Sequence, residues 1–232
     1  MKKAIILAAG YGKRLRPLTE KCPKPLLKIG DQTLLSNTIN FLKKSGVKQI
    51  IINVYYLKDK IIEYIKKNNF NIDIIVVEEK EKILDTGGGI LNAIEYFDQS
   101  FICINPDTIW GSNYIDLLKK LEEDFIKNKK KCCMLLVKKN KSIDKIIKGD
   151  FNLENNLINR KDKKNLNYIY TGLQIIDPKV FLNIKERVFS INKIWDQLIN
   201  SEELYGIESD INFNHISNLN FYNHLYNNLK SL

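Results

Sequence analysis

Five short apolar runs recur along the first part of the chain, and their length and parity constrain the fold more than any other feature. They are Ala4-Ile5-Ile6-Leu7, Gln49 to Val54, Ile72 to Val77, Phe101 to Asn105 and Cys132 to Val137. Apolar residues fall on both parities, so each run reads as a strand covered on both faces, as parallel sheets require. Between them the period changes. Leu34, Leu35, Ile39 and Leu42 fall at helical spacing with Gly46 at the end, and Ile61, Ile62 and Ile65 mark a second helix. Gly87 to Phe97 gives a third, and Leu117, Leu118, Leu121 and Phe125 a fourth. Strands alternating with helices predict an α/β fold: a doubly wound, mostly parallel (Rossmann-like) mixed sheet flanked by helices. Ligands then belong at the carboxyl ends of the strands.

Beyond Lys138 the texture becomes polar and glycine-punctuated as far as Arg160, which predicts a small antiparallel insertion. Tyr168 to Ile176 resumes a strand, and Asp177-Pro178 turns into a short helix. Ser190 suits the N-cap of a helix bearing Ile191, Ile194, Trp195, Leu198 and Ile199. Leu204 to Ile207 and Asn212 to Ile216 read as short strands before a closing helix over 218–230. No repeat or low-complexity linker divides the chain, so one domain over 1–232 is expected, with halves at 1–110 and 111–232. The hydrophobic fraction of 44% and charged fraction of 28% are ordinary for a globular protein. No apolar run approaches the ~20 residues of a membrane span, and the start lacks a signal-peptide pattern, so the expected location is cytoplasmic. Four cysteines at irregular spacing fit neither a disulfide framework nor a zinc site.

The loop after the first strand carries the strongest chemical signal. Leu7-Ala8-Ala9-Gly10-Tyr11-Gly12 offers small residues where backbone can approach a ligand closely. Lys13, Arg14, Lys21 and Lys24 supply charge, and Pro17, Pro23 and Pro25 stiffen the segment. A bent, cationic, proline-stiffened loop after a buried strand suits phosphate groups. A tight strand-to-helix turn with solvated lysines is the plainer alternative. Two phosphate motifs are excluded. A P-loop needs four residues between its first glycine and Gly-Lys, and the dinucleotide fingerprint needs a third glycine where Leu15 stands. The net charge of +10 suits anionic substrates and nucleic acid alike. However, the lysines are dispersed and no nucleic-acid reader motif is present, so no nucleic-acid partner is expected.

The whole string G-x-G-x-R-L-x-P-L-T followed by P-K-P-L-L, over residues 10–27, resembles the signature of the sugar-phosphate nucleotidyltransferases. These enzymes join a nucleoside triphosphate and a sugar 1-phosphate. The resemblance implies a nucleotide-diphospho-sugar transferase-like fold, and it implies contact with the nucleotide from Leu7, Ala8, Ala9, Gly10, Gly12, Lys13 and Arg14. Arg14 and Lys24 match the family's phosphate-binding cations. Leu84-Asp85-Thr86-Gly87-Gly88-Gly89 resembles the segment beside the nucleobase, which makes Gly88, with Glu79, the expected base contacts. A simple helix-start turn is the alternative there. Asn105-Pro106-Asp107 matches the strand end whose aspartate binds magnesium, so Mg2+ is the expected cofactor and Asp107 its ligand. Tyr170-Thr171-Gly172 resembles the strand facing the sugar, and Thr171 and Gly172 are the expected sugar contacts. The family's glutamate-lysine-proline element is absent, with Arg160 or Lys161 as substitutes. No appended hexapeptide β-helix is found, so no acetyltransferase activity is expected.

The family commonly carries a second metal carboxylate near the C-terminus, and here His215 stands in that place, within Phe213 to Asn218. Imidazole is a poor ligand for magnesium. The expectation is one protein carboxylate, Asp107, with His215 at most touching a bound water or phosphate; direct histidine ligation is the alternative. Phe189 to Asn192, Ile194 to Asp196 and Leu204 to Gly206 look most like short uridylyltransferases acting on N-acetylmuramate 1-phosphate, and are also similar to mannose-1-phosphate guanylyltransferases. A non-catalytic regulatory subunit on the same fold is the rival class, and it would be expected to lose Arg14, Lys24 or Asp107.

Overall fold

The structure is a computed structural model that describes residues 1–230. Its first half builds β-α-β units from the runs read above. β1 (Lys3–Leu7) leads through the helical turn α1 (Leu18–Lys21) and the small hairpin β2 (Lys28–Ile29) and β3 (Gln32–Thr33) into α2 (Leu34–Lys44). β4 (Gln49–Val54), α3 (Lys58–Lys67), β5 (Asp73–Glu78), α4 (Asp85–Asn92), β6 (Phe101–Ile104), α5 (Tyr114–Asn128) and β7 (Cys132–Lys138) follow. The hairpin β8 (Asn152–Glu154) and β9 (Leu157–Asn159) comes next, then β10 (Tyr168–Ile176), α6 (Asn192–Asn200), β11 (Leu204–Ser209) and α7 (Leu219–Lys230).

Among the described residues nine strands form one sheet in the order β5-β4-β1-β6-β10-β7-β11-β9-β8. β5, β4, β1 and β6 run parallel, and β10 runs antiparallel between β6 and β7. β11 is parallel to β7, and the β8–β9 hairpin closes that edge. The chain moves outward from β1 through β4 to β5, then returns to place β6 on the other side of β1. That reversal opens a crevice beyond the carboxyl ends of β1 and β6, the place where such sheets bind ligands.

The period of two within strands divides the core into two layers. Ala4 and Ile6 pack on one face with Ile39, Ile61 and Leu118 from α2, α3 and α5. Ile5 packs on the other with Ile90 and Ile194 from α4 and α6. α2 starts sharply because Thr33 and Ser36 form a reciprocal capping box, each side chain accepting from the other's backbone N–H. Among the described residues no helix is long and apolar enough to cross a membrane.

Two local expectations are corrected. The cap of α6 is Ile191, not Ser190, although Ser190 Oγ still accepts from Asn192 N at 3.3 Å. Asn212 to Ile216 is no strand. It meets its neighbours only at the single bridges His215 to Thr108 and Phe213 to Ser142.

Candidate active site

A cleft of about 470 Å³ lies beyond β1 and β6, within the size range of small-molecule sites. Its floor is the loop after β1. Gly12 has a φ of +63°, and a Cβ there would lie 2.9 Å from Thr19 Cγ2 and 3.2 Å from Lys24 Cβ. Glycine is therefore required both by conformation and by close approach. Thr19 is fully buried and its hydroxyl donates to Gly12 O at 2.9 Å, which ties the loop to α1. Gly10 is different: a Cβ there would meet nothing within 4 Å.

One wall brings together Lys24 and Asp107, and His215, itself outside the cleft's lining, joins them. Lys24, flanked by Pro23 and Pro25, begins a helical turn, and its Nζ reaches Asp107 Oδ2 at 2.6 Å. His215 Nε2 stands 3.2 Å from the same oxygen. Backbone pairing sets this meeting: Ile216 N donates to Asp107 O, and His215 bridges Thr108. Thr108 Oγ1 donates to Thr171 O, and Trp110 Nε1 to Asn105 O, which pin the loop after β6. Burial alone would raise the Asp107 carboxyl, but the Lys24 ammonium and His215 outweigh it and hold it well below the usual carboxylate range.

The opposite wall is a buried polar chain. Asn53 Oδ1 accepts from Ala8 N at 2.9 Å, and Asn53 Nδ2 donates to Glu79 Oε1 at 2.8 Å. Glu79 Oε2 accepts from Leu84 N at 2.7 Å. Burial pushes the Glu79 carboxyl up, against the pull of the Leu84 N–H and the Asn53 amide.

Leu7, Ala8, Ala9, Gly10, Gly12, Lys13, Arg14, Lys24, Glu79 and Asp107 all line this one cleft. Three expected contacts do not. Gly88 faces the chain itself: its N donates to Phe189 O, and an added Cβ would run into the Arg187 carbonyl oxygen. Residues 187–189 fill the room on the Cβ side of Gly88. Thr171 is buried and its hydroxyl donates to Leu135 O at 2.8 Å, so it is spent within the sheet. Gly172, at φ +90°, packs under Asn105, whose Cβ would lie 2.9 Å from an added Cβ, and it accepts from Asn105 N. Arg160 is engaged by Asp196 and Asn192 and lies over the Phe151 ring.

Among the other lining residues, Asp85 and Thr86 belong to the segment expected beside the nucleobase, whereas Asn53 and Ile83 are not singled out by sequence. Asn53 had a readable signal, since an amide inside the aliphatic run Ile50 to Val54 must find buried partners. Asp85 adopts φ +61° and accepts from Thr86 N at 2.6 Å, geometry that its sequence neighbours do not announce.

The nucleotidyl transferase family profile matches residues 3–204. The chain belongs to the nucleotidyl transferase family. Among the similar proteins of this family is the bifunctional protein GlmU of Methanocaldococcus jannaschii, 32% identical over 88% of this chain and 48% of its own length. The N-acetylmuramate alpha-1-phosphate uridylyltransferase of Caulobacter vibrioides is 25% identical over 89% of this chain and 88% of its own. Mannose-1-phosphate guanyltransferase beta-A of Xenopus laevis is 30% identical over 89% and 58%. The chain thus spans about half the length of the first and third of these relatives. HddC from Yersinia pseudotuberculosis has the same architecture, with a TM-score of 0.78 and 25% identity over 98% of this chain and 99% of its own. The inositol-1-phosphate CTP transferase from T. maritima shares the fold, with a TM-score of 0.80 over 99% and 96% at 20% identity.

Proposed function

We propose that this nucleotidyl transferase family member joins a nucleoside triphosphate to a sugar 1-phosphate, releasing pyrophosphate. The observation that carries the reading is the Lys24–Asp107 pair, which lines one cleft with the Gly10–Arg14 loop at the sheet's reversal point. A sugar-phosphate oxygen attacks the α-phosphorus, the new P–O bond forms there, and the bond to the departing pyrophosphate breaks. The attacking monoester is already anionic near neutral pH, its second pKa being about 6, so no general base is needed. The work is to bring two anions together and offset their charge. Arg14, with a permanently charged planar fork, meets the triphosphate oxygens. Lys24 meets phosphate from beside Asp107 while its prolines hold the backbone still. Main-chain groups at Gly10 lie where a phosphate can come close without meeting a side chain.

A magnesium ion fits one part of the site. Among the described residues no three His, Cys, Asp or Glu side chains gather into a metal cage. A cleft-facing Asp107 is nonetheless a hard oxygen donor of the kind that holds magnesium together with substrate phosphates. Asp107 would hold the ion, which would neutralise phosphate charge when bound.

Uridine triphosphate with N-acetylmuramate 1-phosphate is the reading taken for the substrates. It rests on the Caulobacter uridylyltransferase, which matches at nearly full length on both sides. Guanosine triphosphate with mannose 1-phosphate is the second reading, favoured by the higher identity of the guanyltransferase named above. Mass spectrometry of products from each substrate pair separates the two readings, and absence of any nucleotide sugar overturns both.

A further inference from the structure

We propose that His215 is a positioning residue that donates Nε2–H to Asp107 and takes no metal itself. Asp107 Oδ2 receives Lys24 Nζ at 2.6 Å and faces His215 Nε2 at 3.2 Å. A carboxylate only accepts, so the proton of that contact sits on Nε2. The other ring nitrogen confirms the direction from the far side. His215 Nδ1 is buried and has no hydrogen-bond partner. A proton placed on Nδ1 would be an orphaned buried donor, rarer in proteins than an unfilled acceptor. Metal ligation through Nε2 would force that arrangement, because the neutral ring would then carry its one proton on Nδ1. Metal-ligating histidines almost always give their second N–H to an acceptor, and among the described residues Nδ1 has none.

The ring is also held in orientation. It stacks on Phe213 at 5.5 Å with planes 9° apart, and its backbone bridges Thr108, next to Asp107. Lys24 and His215 therefore occupy one carboxylate oxygen from two sides and fix the plane of the carboxyl group. The second oxygen is left to face ligands. His215 thus decides how Asp107 is presented, and the protein supplies an oxygen-only site.

The first test is independent of the proposed reaction. The chain has two histidines, so a long-range 15N–1H spectrum of labelled protein, compared with His224→Gln, assigns the His215 ring. The expected pattern carries a proton on Nε2, which stays there when magnesium and a nucleoside triphosphate are added. An Nδ1–H pattern, or loss of the Nε2 proton on adding metal, overturns the proposal. The second test, which rests on the proposed substrates, measures Mn2+ affinity in the presence of triphosphate by electron paramagnetic resonance. His215→Gln places an amide N–H near the same point and should bind like wild type, whereas His215→Ala should weaken binding about 10–100-fold. Equal weakening in both variants, or nitrogen coupling to the bound manganese in wild type, overturns it. If triphosphate does not bind at all, the reaction assignment fails while the tautomer result stands.

Discussion

Replacing Lys24 by Met keeps most of the side chain's length and removes its charge. Lys24 Nζ lies 2.6 Å from Asp107 Oδ2, and the two side chains are 16% and 20% exposed. Breaking a buried pair costs about 3–5 kcal/mol, while an exposed pair is worth about 0–1 kcal/mol. This pair lies between those limits, and His215 still faces Asp107 in the variant, so a loss of about 1–3 kcal/mol is expected. At about 2–4 °C per kcal/mol for a chain of this size, a 2 kcal/mol loss lowers Tm by about 4–8 °C. Turnover should fall further. A charge contact made to the transition state is worth roughly 3–4 kcal/mol, or about two to three orders of magnitude in rate. The sign with pH follows from the depressed Asp107 carboxyl. Its stabilisation is fully present above the unfolded value of about 3.9 and is lost as pH falls through the folded value. The stability gap between wild type and variant should therefore be flat near neutrality and narrow in acid. Calorimetric melting and pyrophosphate release measure the two effects. A lowered Tm with turnover near wild type would remove Lys24 from the chemistry, and no change in either would refute the pairing argument altogether.

The other perturbations act on separate parts of the cleft. Arg14→Ala should lower turnover by about two or more orders of magnitude through the same loss of phosphate stabilisation, with Tm nearly unchanged; normal pyrophosphate release would exclude it. Asn53→Ala removes the partner of both Ala8 N and Glu79 Oε1 and should cost about 2–4 kcal/mol, from two buried groups at 1–3 kcal/mol each less partial relaxation, read by chemical denaturation. Gly88→Val should destabilise the protein rather than weaken nucleotide binding selectively, because the added Cβ meets the Arg187 carbonyl; a folded variant of normal Tm with reduced triphosphate affinity would return the base to Gly88.

Much of the fold was legible because its strands are short, apolar and punctuated. Gln49 to Val54 and Tyr168 to Ile176 coincide with β4 and β10, since burial on both faces leaves few other ways to place such runs. Asn212 to Ile216 misled because Phe213 and Ile216 are indeed buried, yet burial does not require a partner strand. In the site, the Gly10–Arg14 loop, Lys24 and Asp107 were visible through one compact string and one strand end. The partners that decide Gly88 and Thr171 lie far off in the chain, at Arg187 and Leu135. Three glycines in a row, Gly87 to Gly89, permit close approach, but sequence alone does not say whether ligand or protein makes it. The contact of His215 with Asp107 depends on a bridge between residues far apart in sequence, Thr108 and His215, and so was readable only as a position.

Pyrophosphate release, measured across four nucleoside triphosphates with magnesium and a panel of sugar 1-phosphates, tests nucleotidyl transfer most directly. Release should require both a triphosphate and a sugar 1-phosphate, run fastest with uridine triphosphate and N-acetylmuramate 1-phosphate, and yield one nucleotide sugar per pyrophosphate. No release with any pair, or release that continues at the same rate without a sugar 1-phosphate, would contradict it.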